Sequence, residues 1–253
     1  MRPSLMRRLC FTFLLFLSSA TLYSFTLSPM VAEIELDGGQ PRMRYTIYND
    51  GATPIAVQVA VMRREIDVDG EESLSETEEL VAYPSQLVLG SGERRTVMVE
   101  WQGGTVAVEQ PFRVIAEQVP VDFQDNPETR ARIRMNLRYV ASLYVRPPGS
   151  EADPVVSEAS LVYRSGESDP GDAPYAEVLL RNGGSSRLIL SDLSYLVAPP
   201  GTGQGPSVTV ASEETTAPSG VVLPGDSRRL YVPLPRQFRE LEPDSPLTVA
   251  VER

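Results

Sequence analysis

The sequence predicts an all-β protein built as two β-sandwich domains behind a cleaved leader. Three observations carry this. Apolar residues recur with period two in run after run, clusters of Gly, Pro, Asn and Asp separate the runs, and no stretch of ten or more residues has a helical period. The 253 residues, less a leader, suit two domains of about 100 to 150 residues each.

The leader comes first. Arg2, Arg7 and Arg8 form a positive head, an apolar run from Leu9 to Leu17 follows, and Ser18, Ser19 and Ala20 are small. This is the layout of a secretory signal cleaved after Ala20. The run is too short for a bilayer span, which needs roughly 20 apolar residues. The single cysteine, Cys10, lies inside the leader, so the mature chain is expected to fold without disulfides. Export across the membrane is therefore expected.

The strands can be read in order. Met43, Tyr45 and Ile47 alternate with Arg44, Thr46 and Tyr48, and Asn49-Asp50-Gly51 makes a turn. Ile55, Val57, Val59 and Val61 continue on one face, and runs follow at 86–89, 96–101 and 112–119. The acidic stretch from Asp67 to Glu79 reads as a solvated loop; its Asp67-x-Asp69-Gly70 fragment is only a weak calcium signal. Arg146-Pro147-Pro148-Gly149-Ser150 marks a boundary, because two prolines cannot continue a central strand. The domains are therefore expected at 21–146 and 147–253, with the signal peptide at 1–20. Strand-like runs resume at 155–163, 175–180, 187–196, 207–210, 229–232 and 247–251, while 198–205 reads as a loop.

Composition excludes much chemistry. Acids number 34 against 23 bases, a formal charge of −11, and loss of the leader's arginines takes it to about −14. Nucleic-acid binding needs the opposite sign. There is no His, and every base is Arg. Histidine triads, imidazole metal sites, Ser-Lys dyads and Schiff bases are ruled out. No cofactor, metal or small-molecule substrate is expected.

The most informative segment runs from Arg132 to Pro147. Ile133, Met135, Leu137, Tyr139, Ala141, Leu143 and Val145 are apolar, whereas Arg132, Arg134, Asn136 and Arg138 are polar. In a strand these sets lie on opposite faces, giving an apolar ridge opposite an arginine ladder. A strand of about 13 residues exceeds the usual five or six. Either part of the ridge projects past the core, or this is a long core strand with a cationic face.

Several motifs, in order, resemble one family. Asn49-Asp50, Tyr83-Pro84-Ser85-Gln86-Leu87-Val88-Leu89 with Gly92, Glu109-Gln110-Pro111-Phe112-Arg113-Val114 closed by Gln118-Val119-Pro120, and Ser142-Leu143-Tyr144-Val145-Arg146-Pro147 are similar to periplasmic chaperones of chaperone-usher pili. Leu180-Arg181-Asn182-Gly183 and Val222-Leu223-Pro224-Gly225 extend the likeness into the second half. The resemblance implies two immunoglobulin-like domains set at an angle, and a function in binding pilus or fimbrial subunits by donor-strand complementation and delivering them to an outer-membrane usher. It assigns Ile133, Met135, Leu137 and Tyr139 to the subunit's groove. It implies a buried interdomain salt bridge of Glu109 and Arg146 with an acid of the second domain, Glu242 or Asp244. The family's Arg and Lys that grip a subunit's terminal carboxylate are replaced by Glu33 and Ser142, leaving Arg113 and Arg138 as candidates for that anchor. Two other readings compete: an immunoglobulin-like adhesion or scaffold module that donates no strand, and a carboxylate-dependent hydrolase, for which no acid pair is singled out.

Overall fold

Alternation turns directly into two sandwiches. The computed structural model describes residues 25–120, 136–165, 172–199, 207–217 and 219–253; the predicted signal peptide and most of the arginine ladder lie outside them. The first half holds β1 (Phe25–Ser28), β2 (Val31–Glu35), β3 (Arg42–Asn49), β4 (Ile55–Ile66), β5 (Glu72–Glu76), β6 (Leu80–Tyr83), β7 (Gln86–Leu89), β8 (Arg94–Trp101), β9 (Gln110–Val119) and β10 (Arg138–Arg146). One sheet has the order β1-β3-β8-β6; the other runs β2-β10-β9-β4-β5, with β7 also on β4. Between them lie Phe25, Tyr45, Ile47, Val57, Val97, Val99, Phe112, Val114, Ala141, Leu143 and Val145. These come from the apolar sets that period two predicts, and burying each large side chain contributes roughly 1.5 to 3 kcal/mol.

The second half holds β11 (Pro154–Ser165), β12 (Asp172–Asn182), β13 (Leu188–Ile189), β14 (Ser194–Ala198), β15 (Val208–Ala211), β16 (Val221–Val222), β17 (Ser227–Pro233) and β18 (Thr248–Glu252). They form the sheets β11-β12-β17, β13-β16 and β15-β14-β18. Their core, from Leu161 to Leu247, shares no residue with the first. The change of core falls across the Pro-Pro-Gly segment, where Gly149 takes φ 67°.

Two expectations need correction. The acidic stretch is not a plain loop: Glu72–Glu76 forms β5, paired with β4 from Met62 to Ile66. Opposite charges across the two strands make that pairing favourable. At the hairpin tip the Asp67 carboxylate accepts the N–H groups of Asp69 and Glu71 at 3.0 and 2.8 Å, so the acidic fragment is accounted for as a turn. The run from Arg187 to Leu196 is not one strand either. A 3-10 turn at Leu190–Asp192 divides it, because Leu190 and Leu193 are both buried, and a spacing of three reaches one face through a tight turn, not a strand.

Two buried asparagines close equivalent corners. Asn49 Nδ2 donates to the carbonyls of Thr53, Leu89 and Gly90, and its Oδ1 accepts the Gly51 N–H. Asn182 Nδ2 donates to Ser186 and Val222, and its Oδ1 accepts from Gly184 and Asp153. The long bond spans 40 residues in each half. These are the two Asn turns that the sequence marks.

Candidate functional site

The outer face of the six-stranded sheet carries a row of charges. Core-facing residues alternate with outward ones along each strand, so burying Ala32 and Ile34 turns Glu33 outward from β2. By the same rule Ser142 and Tyr144 face out from β10, Arg113 from β9 and Arg64 from β4. Register aligns them: Ser142 stands opposite Arg113, and Tyr144 opposite Glu33.

Two clusters share this row. In the first, Glu72 of β5 receives Arg64 Nε at 2.6 Å and Arg113 Nε at 3.0 Å. Each guanidinium also has a second hold on β10: Arg64 Nη1 donates to the Tyr144 hydroxyl at 3.1 Å, and Arg113 Nη1 donates to the Ser142 hydroxyl. Burial acts to raise the Glu72 carboxyl, but the Arg113 hydrogen bond and both arginine charges outweigh it and hold it below its ordinary value.

In the second cluster Arg187 reaches from the other sandwich. Its Nη1 meets Glu109 Oε2 at 2.8 Å, its backbone N–H donates to Glu109 Oε1 at 3.0 Å, and its Nη2 meets Glu33. Its guanidinium lies 3.9 Å from the centre of the Tyr144 ring. The Glu109 side chain is 0% exposed and that of Arg187 10%. Burial pushes the Glu109 carboxyl up, against the pull of Arg187. The Arg187 hydrogen bond pulls Glu33 down.

The sequence-derived candidates fall as follows. Arg113 faces the row as expected. Arg138 is exposed and pairs across to Glu117; it sits four residues from Ser142 and six from Tyr144, about 13 and 20 Å along the strand, and so outside both clusters. Ile133 and Met135 lie outside the described residues. Leu137 and Tyr139 are partly buried against the first core, and the Tyr139 ring meets Phe25 edge-on at 4.9 Å. The expected trio is rearranged. Glu109 pairs with Arg187, not with Arg146; Arg146 turns to Glu33 and Glu35 at 3.3 and 2.9 Å. Glu242 and Asp244 are exposed. The second half therefore supplies a base, because Glu109 is buried and Arg187 is the cation within reach.

Sequence reasoning missed Arg64, Glu72, Tyr144 and Arg187. Outward alternation along β4 and β10 was a usable signal for Arg64 and Tyr144. For Glu72 and Arg187 none existed, since each acts through a partner far away in sequence.

Residues 27–151 match the family of pili and flagellar-assembly chaperones, PapD N-terminal domain. Fold likeness extends over most of the chain. A class 5 fimbriae chaperone, CfaA, superimposes with a TM-score of 0.56 at 13% identity, covering 91% of this chain and 99% of that one. A chain of the chaperone–tip adhesin complex of CFA/I fimbriae biogenesis gives 0.55 at 13% identity, covering 90% and 98%. A chain of the CsuC–CsuE chaperone–tip adhesion subunit complex of archaic Csu pili from Acinetobacter baumannii gives 0.51 at 17%, covering 81% and 86%. No curated protein matches the sequence. Residues 27–151 thus carry the N-terminal domain of the pilus chaperone family, and the rest of the chain shares the fold of fimbrial chaperones.

Proposed function

We propose that this protein is a periplasmic chaperone that binds pilus or fimbrial subunits by lending them a β-strand, and hands them to an outer-membrane usher. The observation that carries the reading is the uneven pairing of β10. Strand β9 accompanies it from Arg138 to Val145, but β2 only from Ser142 to Arg146. Among the described residues no strand pairs with that second edge at Arg138 and Val140. An open edge is a liability for an isolated protein and a template for strand addition. The ridge of Ile133 and Met135 continues the strand beyond it in sequence, with the alternation that would fill a subunit's groove. Leu137 and Tyr139 lean on the chaperone's own core, so the outer pair carries most of the proposed contact. Arg113 is the proposed anchor for the subunit's terminal carboxylate, since its planar fork suits a carboxylate.

The test is Met135→Asp. A charge is strongly disfavoured in an apolar groove, so the variant should keep the parent's unfolding midpoint and fail to co-purify a fimbrial subunit when the two are co-expressed. Retention of the complex, or collapse of the free protein, would remove Met135 from the donor role.

A further inference from the structure

The two arginines on the outer face already hold a carboxylate, and the manner in which they hold it is unusual. Arg64 and Arg113 have side chains only 12% and 17% exposed. Each is fixed by a second hydrogen bond to β10, through Tyr144 and Ser142. Each therefore keeps a hydrogen bond to β10 when the acid between them leaves. Glu72 is the more exposed member, its side chain 27% open: it starts β5, an edge strand hydrogen-bonded only to β4 among the described residues, and four of that strand's five residues are exposed. Removing Glu72 would leave a preformed pair of cations beside the Ser142 hydroxyl, and two converging guanidinium groups bind a carboxylate through charge-assisted hydrogen bonds.

We propose that Glu72 is a built-in occupant of a carboxylate site formed by Arg64 and Arg113, and that the terminal carboxylate of a bound partner chain displaces it. This rests on the reading of Arg113 as the partner's anchor and adds a competitor to it. The consequence is a threshold: the site is open to a partner only for the fraction of time that Glu72 is away, and apparent affinity falls by that fraction. A partner without a carboxylate at the right place gains nothing from displacing Glu72. The device thus favours chains that end at Arg64 and Arg113.

The probes are an N-acetylated peptide of alternating Val and Thr, free of Asp and Glu, with a free C-terminus, and the same peptide amidated. Glu72→Gln and Glu72→Ala should each bind the free-acid peptide about tenfold more tightly than the parent, as for a site open a tenth of the time, with no gain for the amide. Propionate should move the Nε–H NMR signals of Arg64 and Arg113 in both variants at concentrations that leave the parent unchanged. Equal gains for acid and amide would overturn the proposal. So would a gain for an amidated peptide bearing one internal Glu, which would assign the site to a side-chain carboxylate. If Arg113→Ala loses the free-acid preference while neither Glu72 variant gains, Arg113 is an anchor but Glu72 is no competitor. If Arg113→Ala keeps the parent's preference for the free acid, the anchor reading fails and this proposal fails with it.

Discussion

Arg187 and Arg146 both end in carboxylates, yet they should matter to very different degrees. Among the described residues Arg187 is the cation set against the Glu109 carboxylate, whose side chain is 0% exposed. Truncating Arg187 strands that acid, and losing one member of a buried pair costs about 3 to 5 kcal/mol. Arg146 is 30% exposed and pairs with Glu33 and Glu35, which are about as exposed. Pairs of that kind contribute about 0 to 1 kcal/mol. Urea unfolding should therefore rank Arg187→Ala well below Arg146→Ala in stability. Equal losses would mean that the two arginines share one buried network. The family resemblance set Glu109 with Arg146 and an acid of the second domain, whereas the structure sets Arg187 against Glu109. Charge and position along the chain cannot say which of several arginines folds back onto a given acid.

At the scale of elements, the two asparagine corners do the same work in both sandwiches. Each side-chain amide donates to buried backbone carbonyls, and each amide oxygen accepts an N–H group from the turn itself. An aspartate could accept but not donate. Leaving a buried carbonyl unpaired costs about 1 to 3 kcal/mol, so Asn49→Asp and Asn182→Asp should each destabilise strongly, with Asn→Ala nearly as costly. Because the cores are separate, hydrogen exchange should rise mainly in the first sandwich for Asn49 variants and in the second for Asn182 variants. A uniform rise in both would show that the two unfold as one unit. These corners were legible as Asn-Asp and Asn-Gly pairs at strand ends, since Asn serves turns by bonding its own backbone. The strand β5 was not legible. Its residues, Glu-Ser-Leu-Ser-Glu, have little β propensity, and they are strand only because β4 runs on past the core and offers them a partner.

At the scale of the molecule, the β4–β5 hairpin is a strut between the sandwiches. The Arg229 N–H donates to the Val68 carbonyl at 2.7 Å, and the Arg229 guanidinium meets Asp69 at 2.6 Å. Gly70, at φ 88°, lies so close to the Arg228 guanidinium that a Cβ would overlap it. Ile66 and Glu72 are direct cross-strand neighbours. Replacing 67–71 with Asn-Gly would therefore close the hairpin by a two-residue turn while keeping Arg64 and Glu72. Spin-label distances between the sandwiches should broaden in that variant, with each sandwich keeping its own unfolding midpoint within the small effect expected of exposed contacts. Unchanged distances would mean that the contacts of Arg187 with Glu109, Glu33 and Tyr144 hold the sandwiches without the hairpin.

The sequence by itself determined the class of fold, the identity of the core strands, the two asparagine corners, the break at Pro147-Pro148 and the exclusion of histidine and lysine chemistry. Each of these follows from local rules: period two sorts side chains onto faces, proline cannot extend a central strand, and an absent residue type cannot act. Only the tertiary structure decided that Arg187 answers Glu109, that Glu72 sits between Arg64 and Arg113, and that the acidic hairpin reaches the second sandwich. Apart from Arg64 and Glu72, which face each other across one hairpin, those contacts join residues dozens of positions apart, and their strength comes from burial that other strands create. A chain rich in arginine and acid offers many possible pairings, and packing selects among them.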